Sequence, residues 1–229
     1  MSCLLLMAVL AASPAPVDAM TTASIEEVAS AVRQDAQTGT LLFSQGDCLA
    51  VKVFGGGPYT HVAAVVLRDG EPFVYDSANG EGARCLPLAR YLETQRPDTL
   101  AVVQPRMPFD DARGERFRRH LDEQLGRPYA VKHHLTGKRA EGIHCAEYAT
   151  DALIAAGLVR AERPPRVSPA SLAEGILDGD VYERTAAFDL RPPAEPQDET
   201  ATWCSRMWLD TKTCTTRCCR QMGRWFLCR

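Results

Sequence analysis

The sequence HVAAVVLRDGEPFVYD, residues 61–76, predicts a β-hairpin. Two apolar runs flank Asp69-Gly70, a pair that forms two-residue hairpin turns because both positions tolerate a positive φ. A turn at these residues pairs Arg68 with Glu71 and fixes the register of every residue outward from them. The hairpin is the strongest structural prediction in the chain.

The register count places a histidine and an aspartate on the same face of the hairpin. Ala63 pairs with Asp76, and His61 lies two residues before Ala63, so the three side chains share one face. Residues at this diagonal offset are roughly 7–8 Å apart at the backbone, close enough for Asp76 to orient the imidazole of His61. The alternative is that residues 76–80 form only a turn and that His61 is a hydrogen-bonded core residue. A β-bulge in the hairpin would also change this register.

A helix is predicted from Cys145 to Ala156. Its apolar stripe begins at Cys145, and Gly157 ends it. A thiol at a helix N-terminus lies near unpaired backbone N–H groups, which favour the thiolate and make it a better nucleophile. The alternative for a cysteine on an apolar helix face is a small buried hydrophobic residue.

A thiolate nucleophile requires a base, and the chain has 5 histidines. His120 falls in a charged helix, and residues 133–134 are the histidines of a polar loop. His144 adjoins Cys145, but on a helix its side chain would project about 100° away from the thiol. His61 begins an apolar strand and has an aspartate within reach. It is therefore the candidate base, and that aspartate is the candidate orienting group.

Local signals predict further elements of the main body. A Ser-x-x-Glu capping box opens a helix over 24–36, and an Asp and a Gly bound an amphipathic helix between 110 and 126. Apolar runs at 41–43 and 99–103 are typical of strands. Beyond Pro164-Pro165 the signals weaken.

Composition divides the chain into four parts. Residues 1–19 form a signal-like segment, which is too short to span a membrane and lacks the basic residue that normally precedes a signal peptide's core. The main domain is expected over 24–190, a Pro-rich linker over 191–202, and a basic cysteine-rich tail over 203–229. Whether the protein is cytoplasmic or exported depends on whether residues 1–19 act as a signal peptide, and Met20 is an alternative start.

The tail holds five of the nine cysteines and six Arg or Lys residues against one Asp. A zinc site is a weak interpretation, because paired Cys-x-x-Cys arms are missing. Disulfides would leave one cysteine of the five unpaired. A basic aromatic segment, with or without acylated cysteines, is typical of contact with a membrane surface. The plainest interpretation is a poorly ordered extension.

The 229 residues are 45% hydrophobic with a formal net charge of -3, which suits one domain of ordinary size with a packed core. Because the tail carries a net charge of +5, the rest of the chain carries -8. The main body is therefore acidic and lacks the basic surface that nucleic-acid binding requires. No nucleic-acid partner is expected, and the oligomeric state is not indicated.

Five short motifs follow one another in the order of a known family. They are Gly39-Thr40-Leu41-Leu42-Phe43, Tyr59-Thr60-His61-Val62-Ala63, Val74-Tyr75-Asp76, Gly126-Arg127-Pro128-Tyr129 and His144-Cys145-Ala146-Glu147-Tyr148. In this order they resemble the permuted papain-like amidases of the NlpC type, the YiiX-like group. The resemblance covers about residues 38–160, most of the main body.

The resemblance implies an α+β, circularly permuted papain-like (NlpC-type) fold, in which an antiparallel sheet packs against a helix that begins with the nucleophile cysteine. It implies Cys145 as nucleophile, His61 as base and Asp76 as the third residue, with no cofactor and no metal. Asp76 stands where the family more often has Glu. Glu147 matches the family's Cys-Ser-Glu motif, although Ala146 replaces the serine.

The function expected from these residues is a cysteine hydrolase, an amidase or thiol protease that cleaves a peptide-like amide through an acyl-enzyme. Two alternatives stay open. One is a thiol acyltransferase or esterase acting on lipids, which the tail would bring to a membrane surface. The other is a binding module that kept the fold and lost catalysis, which predicts His61 turned away from Cys145.

Overall fold

The computed structural model describes residues 20–45, 57–130, 136–139, 141–191 and 211. The predictions for the signal-like segment, the linker and the tail lie outside the described residues, apart from residues 191 and 211. The two histidines at 133–134 also lie outside them. None of the helices in the described ranges has the length and apolar character needed to cross a bilayer.

The described ranges form a mixed α and β structure with seven strands in one sheet and five α-helices. The strands are β1 (Thr21–Thr22), β2 (Leu41–Gln45), β3 (His61–Arg68), β4 (Glu71–Ala78), β5 (Gly82–Pro87), β6 (Thr99–Pro105) and β7 (Tyr182–Asp189). The helices are α1 (Ile25–Asp35), α2 (Leu88–Gln95), α3 (Asp111–Glu123), α4 (Cys145–Ala155) and α5 (Pro169–Asp178).

The strands are ordered β1-β7-β6-β2-β3-β4-β5 across the sheet. Neighbouring strands are antiparallel except β1 and β7, which are parallel. The β3–β4 hairpin therefore lies between the central strand β2 and the edge strand β5. α4 packs against both strands of the hairpin.

The hairpin has the predicted turn and register. The residues of Asp69-Gly70 have φ angles of 52° and 81°. Arg68 pairs with Glu71, and the pairing continues without a shift to Ala64 and Tyr75. The alternative of a turn over residues 76–80 is wrong for its first three residues, because β4 continues to residue 78.

Helices cover both faces of the sheet. One apolar core lies between the sheet and α1 and α2, and the other lies between the sheet and α3, α4 and α5. Successive residues of β3 point into different cores, and Val62 to Val66 are all buried. This explains why the strand is an uninterrupted apolar run, as is typical of a sheet covered on both sides.

Local capping fixes the helix starts. The predicted capping box is present at α1, where Ser24 and Glu27 bond each other's backbone N–H, and Asp110 caps α3. α5 also begins with a capping box, which Ser168 and Ser171 form. Local sequence signals do not indicate five of the elements, so the domain has more regular structure than these signals suggest. The five are β1, β5, α2, α5 and β7.

Candidate active site

The three predicted site residues lie where α4 crosses the hairpin. Cys145 is the first residue of α4, His61 is the first residue of β3, and Asp76 lies near the end of β4. Cys145 is only 4% exposed. The fold thus brings a helix N-terminus and two strands together around the thiol.

A buried carboxylate holds the His61 imidazole. Nε2 of His61 lies 3.0 Å from Oδ2 of Asp76, whose side chain is fully buried, while the imidazole is 15% exposed. This is the diagonal contact that the register count predicts. Because Nε2 is engaged by the carboxylate, Nδ1 is the nitrogen left to face the thiol.

Asp76 has two further partners that the sequence analysis missed. Arg84 donates from Nε to Oδ1 at 2.8 Å and from a terminal nitrogen to Oδ2 at 3.2 Å, and Gln95 donates to Oδ2 at 3.1 Å. Burial disfavours the carboxylate, but hydrogen bonds and charge from His61 and Arg84 outweigh it and hold the pKa of Asp76 below its usual value. Asp76 is therefore an anion at neutral pH, which keeps a proton on Nε2 of His61.

Cys145 and His61 stabilise each other's charged form. Burial opposes protonation of His61, but the negative charge of Cys145 and hydrogen bonds with Asp76 and Cys145 raise its pKa to about 10. Burial also opposes ionisation of Cys145, but the charge of His61 and hydrogen bonds from His144 and His61 lower its pKa to about 6. At neutral pH the pair is a thiolate and an imidazolium.

His144 lies closer to the nucleophile than the sequence predicts. The expectation that it projects away from Cys145 is wrong, because φ of -101° and ψ of 164° make it the extended N-cap of α4 rather than a helical residue. Its Nδ1 accepts the N–H of Glu147 at 3.3 Å, and its Nε2 lies 2.9 Å from the carbonyl oxygen of Pro165. The ring also interacts with the Cys145 sulfur.

Glu147 is fully buried in the first turn of α4. One of its oxygens lies 3.2 Å from Arg139, which also forms a two-pronged ion pair with Asp151. Its other oxygen lies 3.9 Å from Nε2 of His144. The ion pair with Glu147 thus connects Arg139 to the helix that carries Cys145.

The backbone that leads into Cys145 is held from several sides. Ser77 donates a hydrogen bond to the carbonyl oxygen of Ile143 at 2.8 Å. Ile143 also forms a parallel β-bridge with Tyr129. The Arg127 side chain donates hydrogen bonds to the carbonyl oxygens of Glu141 and Gly142, at 2.9 and 3.0 Å. These contacts fix the position at which α4 begins.

A glycine permits the close approach of this segment to β5. Ala83 and Arg127 are joined by a backbone hydrogen bond of 2.8 Å. Next to it, Gly82 has a φ of 77°, and a Cβ added there would lie 2.2 Å from the carbonyl oxygen of Arg127. A residue with a side chain would force this backbone apart.

A buried tyrosine, Tyr91, lies near Asp76 and Cys145. Among the described residues, the hydroxyl of Tyr91 on α2 makes no side-chain hydrogen bond of normal geometry. It is within electrostatic reach of Asp76 and Cys145, with the Ser44 side chain nearby. Both Tyr91 and Gln95 come from a helix that the sequence analysis did not predict, so no local signal indicated them.

Comparison with known proteins gives a distant likeness to a solved structure. No family model matches the chain, and no curated protein matches it. Among solved structures, it is similar to the metalloprotein yiiX from Escherichia coli O157:H7, with 17% sequence identity and a TM-score of 0.46. The likeness covers 52% of this chain and 66% of that one, just under two thirds of its length. At this distance it assigns no activity to this chain.

Within the described ranges, no group of three or more His, Cys, Asp or Glu side chains is placed so that it could hold a metal ion. The oxygens of Asp76 are already bonded to His61, Arg84 and Gln95. The Asp76 carboxylate is thus engaged by protein side chains.

Proposed function

We propose that the protein is a cysteine hydrolase, an amidase or peptidase in which Cys145 is the nucleophile, His61 the base and Asp76 the orienting residue. The observation that carries the proposal is the His61 imidazole, held by a buried carboxylate at Nε2 and interacting with the thiol at a helix N-terminus. This arrangement matches the relationship between nucleophile, base and orienting group in thiol and serine hydrolases.

The groups present supply each step of an acyl transfer. The Cys145 thiolate attacks the carbonyl carbon of a peptide-like amide and forms a C–S bond, while the carbonyl oxygen becomes an oxyanion. The N–H groups of Cys145 and Ala146 have no acceptor within the helix, so they supply donors for that oxygen. The His61 imidazolium gives its proton to the amide nitrogen as the C–N bond breaks, which leaves a thioester.

Water completes the cycle. Neutral His61 takes a proton from a water molecule, whose oxygen attacks the thioester carbonyl. The C–S bond then breaks and Cys145 leaves as the thiolate, which restores the starting ion pair with His61. Asp76 remains an anion throughout and holds the imidazole in the orientation that both proton transfers require.

We also propose the circularly permuted papain-like, NlpC-type fold for the domain. The histidine strand precedes the cysteine helix along the chain, and the antiparallel sheet packs against that helix, as the motif resemblance implies. The position of His61 favours catalysis over the alternative of an inactive binding module, since that alternative predicts the imidazole turned away from Cys145.

Activity profiling tests the proposal. The full-length protein would be incubated with panels of peptide amides and lipid esters and with a thiol-reactive acyl probe, alongside Cys145→Ala and Cys145→Ser. Cys85→Ala is the matched control, because Cys85 is a free, half-buried cysteine on β5. We expect amide cleavage and labelling to disappear in both Cys145 variants and to persist in Cys85→Ala.

The panels also separate the alternatives. Transfer of an acyl group to an added amine or lipid in preference to water would favour an acyltransferase, and cleavage of lipid esters alone would favour an esterase. Labelling that survives in Cys145→Ala would contradict the assignment of the nucleophile.

A further inference from the structure

We infer that His144 is a second positioning residue of the nucleophile, which stabilises the Cys145 thiolate as well as capping α4. The inference rests on the proposed function, since it concerns the same thiolate. His144 is buried, with a side chain 6% exposed, and both ring nitrogens have partners within the site.

The two ring nitrogens have different fixed partners. A carbonyl oxygen can only accept a hydrogen bond, so the 2.9 Å contact with Pro165 places a proton on Nε2 of His144. In the neutral ring Nδ1 then carries only a lone pair, with which it accepts the N–H of Glu147. At 3.3 Å this capping bond is beyond the normal range, so it is easily exchanged for another.

Protonation of Nδ1 converts this nitrogen of His144 from a hydrogen-bond acceptor into a donor. When Nδ1 takes a proton from solvent, His144 becomes an imidazolium and the same nitrogen can donate to the Cys145 sulfur. Nδ1 cannot cap Glu147 and donate to sulfur at once, so the two interactions alternate. When Cys145 is acylated its negative charge is gone, Nδ1 returns its proton to solvent, and the cap forms again.

The charges around His144 favour this exchange. On its own helix it faces Cys145 and the fully buried carboxylate of Glu147, and on the 3₁₀ turn Pro164–Arg166 it faces the carbonyl of Pro165. His61 is the other histidine that interacts with the thiol. Burial opposes protonation of His144, but hydrogen bonding and charge from Cys145, the Pro165 carbonyl and Glu147 together raise its pKa.

Two substitutions distinguish the role of His144 as the N-cap of α4 from the role of its positive charge. Asn and Ser are both good N-cap residues, so His144→Asn and His144→Ser keep an acceptor for the N–H of Glu147, but neither can carry a positive charge. His120→Asn is the matched control, because it removes a partly buried histidine on α3.

The experiment measures alkylation of Cys145 by iodoacetamide in the full-length protein as a function of pH, followed by mass spectrometry of the peptide that contains it. We expect the pH midpoint to rise by about one unit in His144→Asn and His144→Ser, as expected for loss of a charged hydrogen bond. The midpoint in His120→Asn should stay at the wild-type value. The melting temperatures of His144→Asn and His144→Ser should fall to a similar extent, because both variants leave the buried Pro165 carbonyl without its donor.

Unchanged midpoints in both His144 variants would overturn the inference and leave His144 as a cap alone. Midpoints that differ between the two His144 variants in step with their melting temperatures would also overturn it, because loss of structure would then explain the change. Alkylation requires no turnover. A protein that shows the expected midpoints but cleaves no amide contradicts the proposed function and leaves the role of His144 standing.

Discussion

Nε2 of His61 and Oδ2 of Asp76 are 3.0 Å apart, and the far oxygen of the same carboxylate accepts a 2.8 Å bond from Arg84. Asp76 is thus held between the imidazole of His61 and the guanidinium of Arg84. The carboxylate can neither rotate nor take up a proton without breaking one of these contacts. Its position therefore fixes the orientation of His61.

Replacing Asp76 by Asn should reduce the turnover of an activated ester probe by on the order of 10³–10⁴-fold. The amide has the same shape but no charge, so it no longer holds the proton on Nε2 or stabilises the imidazolium. Asp122→Asn is the control, since Asp122 bonds Tyr75 and Arg68 outside the site. Near-normal turnover in Asp76→Asn would remove Asp76 from the mechanism.

Replacing Arg84 by Met should lower the free energy of unfolding at pH 7 by about 3 kcal/mol, because it leaves the buried Asp76 carboxylate without its cationic partner. Chemical denaturation measures this loss. Arg90→Met is the matched control, because the exposed Arg90–Glu93 pair contributes little. Equal stabilities of the two variants would show that Arg84 does not hold the carboxylate.

The same variant should unfold in acid more readily than the wild type. The folded-state pKa of Asp76 is lower than its unfolded value, so its contribution to stability is present above the unfolded pKa and is lost as the pH falls through the folded pKa. Without Arg84 the folded pKa rises, and the loss begins at a higher pH. Circular dichroism between pH 7 and pH 2 follows both transitions.

Alkylation of Cys145 should have a pH midpoint near 6, because its thiolate is stabilised by His61 and His144. Cys85 is the internal control, since burial raises the pKa of its thiol above the usual value. The comparison uses midpoints rather than rates, because Cys145 is almost fully buried. Turnover should also fall at high pH as His61 loses its proton near 10. A Cys145 midpoint at or above that of Cys85 would contradict the ion pair.

Replacing Gly82 by Ala should destabilise the protein more than replacing Gly80 by Ala. Both glycines have a φ near 80°, so the two variants share the cost of a left-handed alanine, about 1–2 kcal/mol. Only at Gly82 does the new Cβ meet the carbonyl of Arg127, whereas nothing lies within 4 Å at Gly80. Thermal denaturation of both variants isolates the contact, and equal losses would show that the strand and the Arg127 segment can separate freely.

The sequence predicts the parts of the site that depend on local rules. The turn at Asp69-Gly70 fixes its own register, and the contact between His61 and Asp76 follows from counting residues. The apolar stripe that begins at Cys145 is likewise a local property of one helix. Each of these predictions needs only a short stretch of chain.

The remaining parts depend on contacts between distant segments. Arg84 reaches Asp76 only because β5 pairs with β4, and Gln95 reaches it only because α2 follows β5 back across the sheet. The predicted helix begins at the observed residue, Cys145, but the expected projection of His144 assumes helical geometry one residue before that start, where the backbone is still extended. Helix boundaries are the least certain feature of any sequence pattern.

The bridge between Tyr129 and Ile143 brings the two ends of the intervening chain together just before the nucleophile. Lengthening a closed connection adds little to its entropic cost, since that cost grows only with the logarithm of its length. Insertions between Tyr129 and Arg139 would therefore leave the bridge, and the contacts of Arg139 with α4, in place. Divergent descendants of this domain could change the chain next to the thiol, and with it the choice of substrate, without rebuilding the catalytic framework.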